Sequence, residues 1–149
     1  MLEINAADTV WVLVCAALVL LMTPGLAFFY GGMVRAKSVL NMMMMSFTAL
    51  GVVTVVWVLV GYSLAFGKDS FGGLIGDLRE VGLVDAFDQV VGPPGHQVPM
   101  LAFVMFQLTF AVVTTALLSG AIADRTKFSA WIVFAIAWSR LVYVPMAHW

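Results

Sequence analysis

The chain has 149 residues, of which 63% are hydrophobic and 10% are charged, and its formal net charge is −1. Its mean hydropathy of +1.06 exceeds that of soluble domains of this size and indicates a membrane protein. The near-neutral charge and the lack of a basic tract argue against a nucleic-acid partner. The single cysteine, Cys15, excludes an intrachain disulfide.

Three long uncharged stretches and a fourth interrupted by Arg140 each reach the roughly 20 residues that cross a bilayer. The first eight residues contain no Lys or Arg, so we expect the first stretch to be retained and not cleaved as a signal peptide. The sequence therefore predicts an all-α, polytopic helix bundle with one membrane domain over 1–149. The predicted transmembrane helices lie at about 9–33, 39–66, 99–123 and 128–149.

The interval 68–97 is polar and acidic and rich in Gly and Pro, which predicts an outer loop with one short surface helix near 78–90. His96, near its end, is expected to be solvated. The run Met42–Met45 offers soft thioether groups, but consecutive helical residues point in different directions and cannot share a metal. We therefore predict packing for these methionines, and neither a metal nor a cofactor for the chain.

Orientation follows from the basic residues. Arg35 and Lys37 lie in one short turn and Arg125 and Lys127 in another, whereas the interval 68–97 is mainly acidic. The positive-inside rule places both short turns in the cytoplasm, which puts the N-terminus and the loop outside a cell membrane. Arg140 would lie within the bilayer, so it should snorkel, meet a polar partner or face water.

The stretch 22–35 combines Pro, an aromatic triplet, a Gly pair and a basic residue. Two interpretations are open. Gly31 and Gly32 either let helices approach closely beside aromatics that line a pathway, or end the helix before Arg35 anchors it at the headgroups.

Five motifs, in this order along the chain, resemble landmarks of the ammonium transporter family (Amt, Mep and Rh proteins). They are TPGLAFFYGGMVR at 23–35, GYSLAFG at 61–67, FQLTFA at 106–111, GAIADRTKFSA at 120–130 and YVPMAHW at 143–149. The combination is far more specific than any single motif.

The resemblance implies a homotrimer of eleven-helix protomers, each with a pore between two inverted repeats, of which this chain would supply the first four helices. It places Phe106 and Phe110 at an outer aromatic site for ammonium, with Phe110 as its lid, although spacing alone would favour packing for both. It also places four residues along the pore wall: Leu26, Phe29, Tyr30 and Leu117.

The same resemblance implies that ammonium is attracted outside and that nitrogen crosses as ammonia, with the proton handled separately. The family's paired pore histidines would belong to later helices. His148 is therefore expected to have a structural role and to form a hydrogen bond across the helix end.

Two other function classes are open beside the transporter. The chain could be a non-transporting fragment or accessory subunit that only packs with other membrane chains. An intramembrane enzyme is disfavoured, because Asp8, Asp124 and His148 all lie at the ends of spans.

Overall fold

A computed structural model of the protein describes residues 4–70, 72–84 and 86–149. It contains four helices that are long and apolar enough to cross a membrane. They are α1 (Ala6–Met33), α2 (Ala36–Phe66), α3 (Met100–Ile122) and α4 (Phe128–His148). The predicted all-α membrane bundle is confirmed, and every helix end lies within three residues of its expected position.

Helix α1 starts earlier than predicted because Asn5 caps it. The Asn5 side chain accepts a hydrogen bond from the backbone N–H of Asp8 at 3.1 Å. The Asp8 carboxylate, in the first turn, adds a favourable interaction with the helix dipole. The helix then runs without interruption through Pro24 to Met33.

The helices pack around small side chains. Helix α1 contacts α2 and α3, while α2 also contacts α3 and α4. Ala27, Ala49, Ala116 and Ala135 are almost completely buried, and such small residues let helix backbones approach closely in a membrane. Some large side chains are buried as well, among them Trp57 and Trp131. The indole N–H of the fully buried Trp131 donates to the carbonyl of Met45 at 2.9 Å.

Two helices contain π-helical segments, Trp57–Gly61 in α2 and Ser139–Tyr143 in α4. The end of α3, Leu118–Ile122, is wound as a tighter 3₁₀-helix. Such departures from regular α-helix are often found at functional sites.

The polar interval folds differently from the prediction. Two short antiparallel pairs join β1 (Asp69–Ser70) to β2 (Ile75–Gly76) and β3 (Val90–Val91) to β4 (Val98–Pro99). Between the pairs, the described residues 77–84 and 86–89 form two 3₁₀ turns, Val81–Leu83 and Ala86–Asp88. The predicted surface helix near 78–90 is therefore wrong, because Gly82 and Leu83 both have positive φ angles, of 70° and 57°, that break helical winding.

Candidate functional site

The loop after α2 folds back over the end of that helix. The Ser63 hydroxyl donates to the carbonyl of Asp77 at 2.8 Å and accepts from the backbone N–H of Glu80 at 3.0 Å. Gly67 and Gly76 make this fold possible, because a Cβ on either would lie within 2.6 Å of the Ser63 carbonyl oxygen. The segment after α2 is thus held against the helix end by the Ser63 hydroxyl and by the close approach of its backbone at Gly67 and Gly76.

Helix α4 binds the same loop. His148 is nearly buried, and its Nδ1 lies 3.0 Å from the carbonyl oxygen of Ala65 in α2. This confirms the predicted hydrogen bond across the helix end. Its Nε2 lies 3.2 Å from the Asp69 carboxylate, without hydrogen-bond geometry. The indole N–H of Trp149 donates to the carbonyl of Leu74 at 3.2 Å, so this loop joins the ends of α2 and α4.

Below this loop, a groove of about 670 Å³ lies between α2, α3 and α4. Aromatic and aliphatic side chains dominate its wall, and none of its lining residues carries a charge. They are Phe66, Phe106, Gln107, Phe110, Thr114, Trp138, Tyr143, Met146 and Ala147. A groove of this composition presents aromatic faces and a few hydrogen-bonding groups to whatever occupies it.

Phe106 and Phe110, the two residues of the predicted outer site, both line this groove. They are one helical turn apart, and their rings meet edge to face with centroids 5.1 Å apart. Phe110 remains 37% exposed. The structure therefore places both rings together on an open face of α3 and not within the packed core.

Sequence reasoning did not single out the three other aromatic members of the groove, Phe66, Trp138 and Tyr143. The Phe66 ring contacts Phe103 at 5.2 Å, and the Tyr143 ring contacts the buried Trp57 at 6.2 Å. Trp57 and Tyr143 both belong to the π-helical segments. Phe66 and Tyr143 lie within the recognised motifs at 61–67 and 143–149, and this was the signal that could have pointed to them.

Toward the other end of α3, the structure brings two of the predicted pore-wall residues together. The hydroxyl of Tyr30 donates to the carbonyl of Leu117 at 3.1 Å. The Leu117 side chain is 47% exposed and follows Phe106 and Phe110 along the same side of the helix. Tyr30 also lines a separate cavity of about 230 Å³ beside Gly120.

The other two predicted wall residues are placed differently from each other. Phe29 touches the Tyr30 ring, with centroids 5.9 Å apart, and is 62% exposed. Leu26 is half-buried and packs against the cluster around Trp131 and Ala116. Of the four, then, Tyr30 and Leu117 form a direct contact, Phe29 adjoins them, and Leu26 lies partly within the core.

Charged groups lie away from the groove. His96 is exposed, as predicted, and its Nδ1 lies 2.7 Å from the Asp8 carboxylate at the start of α1. Arg140 lies in the π-helical segment of α4, where its Nε is buried and has no hydrogen-bond partner in the described part of the chain. Among residues 4–70, 72–84 and 86–149, no three His, Cys, Asp or Glu residues form a group that could hold a metal ion.

A family model described as the Ammonium Transporter Family matches residues 10–149. The chain belongs to the ammonium transporter family. The resemblance carried by the five motifs is thereby confirmed, together with the membrane-protein class.

Curated relatives agree with this assignment. The chain is 53% identical to an ammonium transporter of Mycobacterium tuberculosis over 97% of its length, and 51% identical to one of Aquifex aeolicus over 99%. It spans about a third of the length of these relatives, 33% and 34% respectively. The crystal structure of Saccharomyces cerevisiae Mep2 matches with a TM-score of 0.85 at 33% identity, over 99% of this chain and 32% of Mep2.

Proposed function

We propose that the four helices are part of a transporter that moves ammonium or ammonia across a cell membrane, and that they supply one wall of its pathway. The observation that carries the proposal is the uncharged aromatic groove that contains Phe106 and Phe110. The groove lies on the same side of α3 as Leu117, which leads to Tyr30 at the opposite end. Membership of the ammonium transporter family supports the choice of substrate.

The first step in the proposed mechanism is attraction of ammonium to the groove. The faces of Phe106 and Phe110 carry negative partial charge, and such faces attract a cation more strongly when it is desolvated. Gln107 and Thr114, which also line the groove, offer oxygen atoms that accept N–H bonds. The groove therefore favours a small cation that has N–H groups.

Beyond the groove, the open face of α3 favours a neutral molecule. The next wall residues, Leu117 and Phe29, are apolar, and an ion that leaves water for such a surface loses solvation free energy. Ammonium can avoid that cost by giving up its proton. Nitrogen then crosses as ammonia, and the proton passes to another base and follows a separate route. Sodium and potassium are rejected because neither has a proton to give up.

The proposed pathway has only one wall in these four helices, because Phe29, Phe110 and Leu117 are all substantially exposed. We infer that further helices cover this face, in an eleven-helix protomer built from two inverted repeats and assembled as a homotrimer. The support is that the matched relatives are about three times as long as this chain.

The same open face favours one alternative, in which the chain is a non-transporting fragment or an accessory subunit that packs with other membrane chains. The coding sequence after Trp149 decides between the two. An in-frame continuation with further apolar helices that carry two membrane-embedded histidines supports the transporter. A stop codon at that point supports the accessory subunit.

The direct test is reconstitution into liposomes. The protein expressed from its complete coding sequence is compared with residues 1–149 alone, under an inward ammonium gradient, by recording charge movement and internal pH. We expect flux from a protein that has both walls and none from residues 1–149 alone. Absence of flux from the complete protein, with correct insertion shown by protease protection, would refute the proposed function.

We propose that the N-terminus lies outside, on the evidence of Arg35, Lys37, Arg125 and Lys127. The test uses a Cys15→Ala background and a thiol reagent that cannot cross membranes, applied to intact cells. Val84→Cys should be labelled and Ala36→Cys should not, since both side chains are exposed and they lie at opposite ends of the helices. The reverse pattern would invert the topology.

A further inference from the structure

The ring of Tyr30 lies directly on the backbone of Gly120. A Cβ atom at position 120 would lie 2.6 Å from Cζ of Tyr30, and 2.9 Å from both Cε2 and the hydroxyl oxygen. Cβ atoms in proteins essentially never lie within 3.0 Å of such a neighbouring heavy atom. The φ angle of Gly120 is not in the left-handed region, so glycine is required here for space and not for backbone conformation.

The hydroxyl group of Tyr30 is held at a second point. It donates to the carbonyl of Leu117, the last residue of α3 before the helix tightens into its 3₁₀ turn. At this junction the backbone pairing changes from the α-helical to the 3₁₀ pattern. The neighbouring carbonyl, of Ala116, accepts from the Ser119 hydroxyl at 2.7 Å. Tyr30 is therefore fixed both by its ring, on Gly120, and by its oxygen, on Leu117.

This contact lies where a pathway along α3 would end. Of the four wall residues, only Tyr30 carries a hydrogen-bonding side chain; Leu26, Phe29 and Leu117 are hydrocarbon. While the phenol O–H donates its hydrogen bond to the carbonyl of Leu117, the lone pairs of the phenol oxygen remain free to accept a hydrogen bond from an N–H or O–H group. The position of the ring also sets how far it projects beyond the face of α3.

We propose that Gly120 is a positioning residue for transport. Because Gly120 has no side chain, Tyr30 can form the constriction at the end of the pathway that lies near the basic turns 35–37 and 124–127. The inference rests on the proposed function and adds a residue that determines the width of the path. A side chain at position 120 would push the Tyr30 ring outward and separate its hydroxyl from Leu117. The narrowed path should then pass ammonia more readily than the larger methylamine, so that flux from methylammonium falls more than flux from ammonium.

The test is Gly120→Ala in the protein expressed from its complete coding sequence and reconstituted into liposomes. Methylammonium flux should fall on the order of 10-fold and ammonium flux by less, so that the ratio of the two changes. The matched control is Gly51→Ala in α2, where an added Cβ meets no atom within 4 Å. This control should leave both fluxes unchanged.

A double-mutant cycle separates positioning of Tyr30 from a general defect. In a Tyr30→Ala background the ring is absent, so Gly120→Ala should have no further effect on the flux ratio or on thermal stability in detergent. Equal effects of Gly120→Ala in both backgrounds, or an unchanged flux ratio, would overturn the inference. A wild-type protein without flux would refute the proposed function itself, and coupling in stability alone would then leave Gly120 a purely structural residue.

Discussion

The two faces of α3 are built from different kinds of residue. The face toward α1, α2 and α4 is composed of small or β-branched side chains, and Val112, Thr115 and Ala116 on it are almost completely buried. The opposite face carries Phe110 and Leu117, which are large and partly exposed. Both faces are apolar, so hydropathy cannot distinguish them. Side-chain size does, because close helix packing in a membrane requires small residues.

The comparison shows how one helix can serve two purposes. Its packed face fixes the position of α3 against the other helices and tolerates little change in volume. Its open face is partly exposed, at Phe110 and Leu117, and in the proposed function it carries the residues that meet the substrate. Substitutions on the two faces should therefore separate stability from transport.

The largest effect is expected from Trp131→Ala, which breaks the packed face from the side of α4. The substitution removes a fully buried ring next to Ala116 and the hydrogen bond to Met45. It should lower the free energy of unfolding by about 3–5 kcal/mol, measured by SDS titration in mixed micelles. Trp11→Ala, at a tryptophan that is 70% exposed, is the control and should change this free energy far less.

An intermediate effect is expected from a pair of neighbouring positions. Ala116→Leu inserts a larger side chain where Ala116 is completely buried, and should destabilise the fold by about 1–3 kcal/mol in the same titration. Leu117→Ala, one residue along and on the open face, should change stability by less than about 0.5 kcal/mol. Similar losses at both positions would mean that the two faces do not differ.

A smaller change in free energy than that of Ala116→Leu is expected from Phe110→Ala, and it should appear in transport and not in stability. Loss of cation–π attraction costs about 0.5–2 kcal/mol, so the ammonium concentration for half-maximal flux should rise roughly 2- to 30-fold. Phe47→Ala in α2, at a phenylalanine that is also partly exposed, is the matched control. An unchanged half-maximal concentration in Phe110→Ala would make Phe110 a packing residue.

Much of this architecture is predictable because the bilayer imposes it. Span length follows from hydrocarbon thickness, so runs of apolar residues located all four helices to within three residues of their ends. The loop over 68–97 lacks such a constraint. Its path depends on the positive φ angles at Gly82 and Leu83 and on contacts with α4, a helix that follows it by many residues. Local sequence patterns do not encode these contacts, which is why a helix was wrongly predicted there.

The candidate site was predictable only where residues share one helix. Phe106 and Phe110 are four residues apart, and this spacing puts them on one face whatever surrounds them. Phe66 and Tyr143 belong to different helices, and their positions depend on π-helical segments. The hydrophobic periodicity of the sequence does not predict such segments. The contact between Tyr30 and Gly120 joins α1 to α3. This contact could not be predicted from sequence alone, although both residues lie in recognised motifs.

The attachment of His148 to the end of α2, and of Trp149 to the β1–β2 loop, has a consequence for biosynthesis. The hydrogen bonds join residues separated by 83 positions for His148 and Ala65, and by 75 for Trp149 and Leu74. At a translation rate of roughly 5–20 residues per second, the loop leaves the ribosome roughly 4–17 s before its partners do. During that interval the carbonyls of Ala65 and Leu74 lack these two partners. The nascent loop is therefore more open to proteases and modifying enzymes than the finished protein, and its final shape is reached only when α4 has entered the membrane.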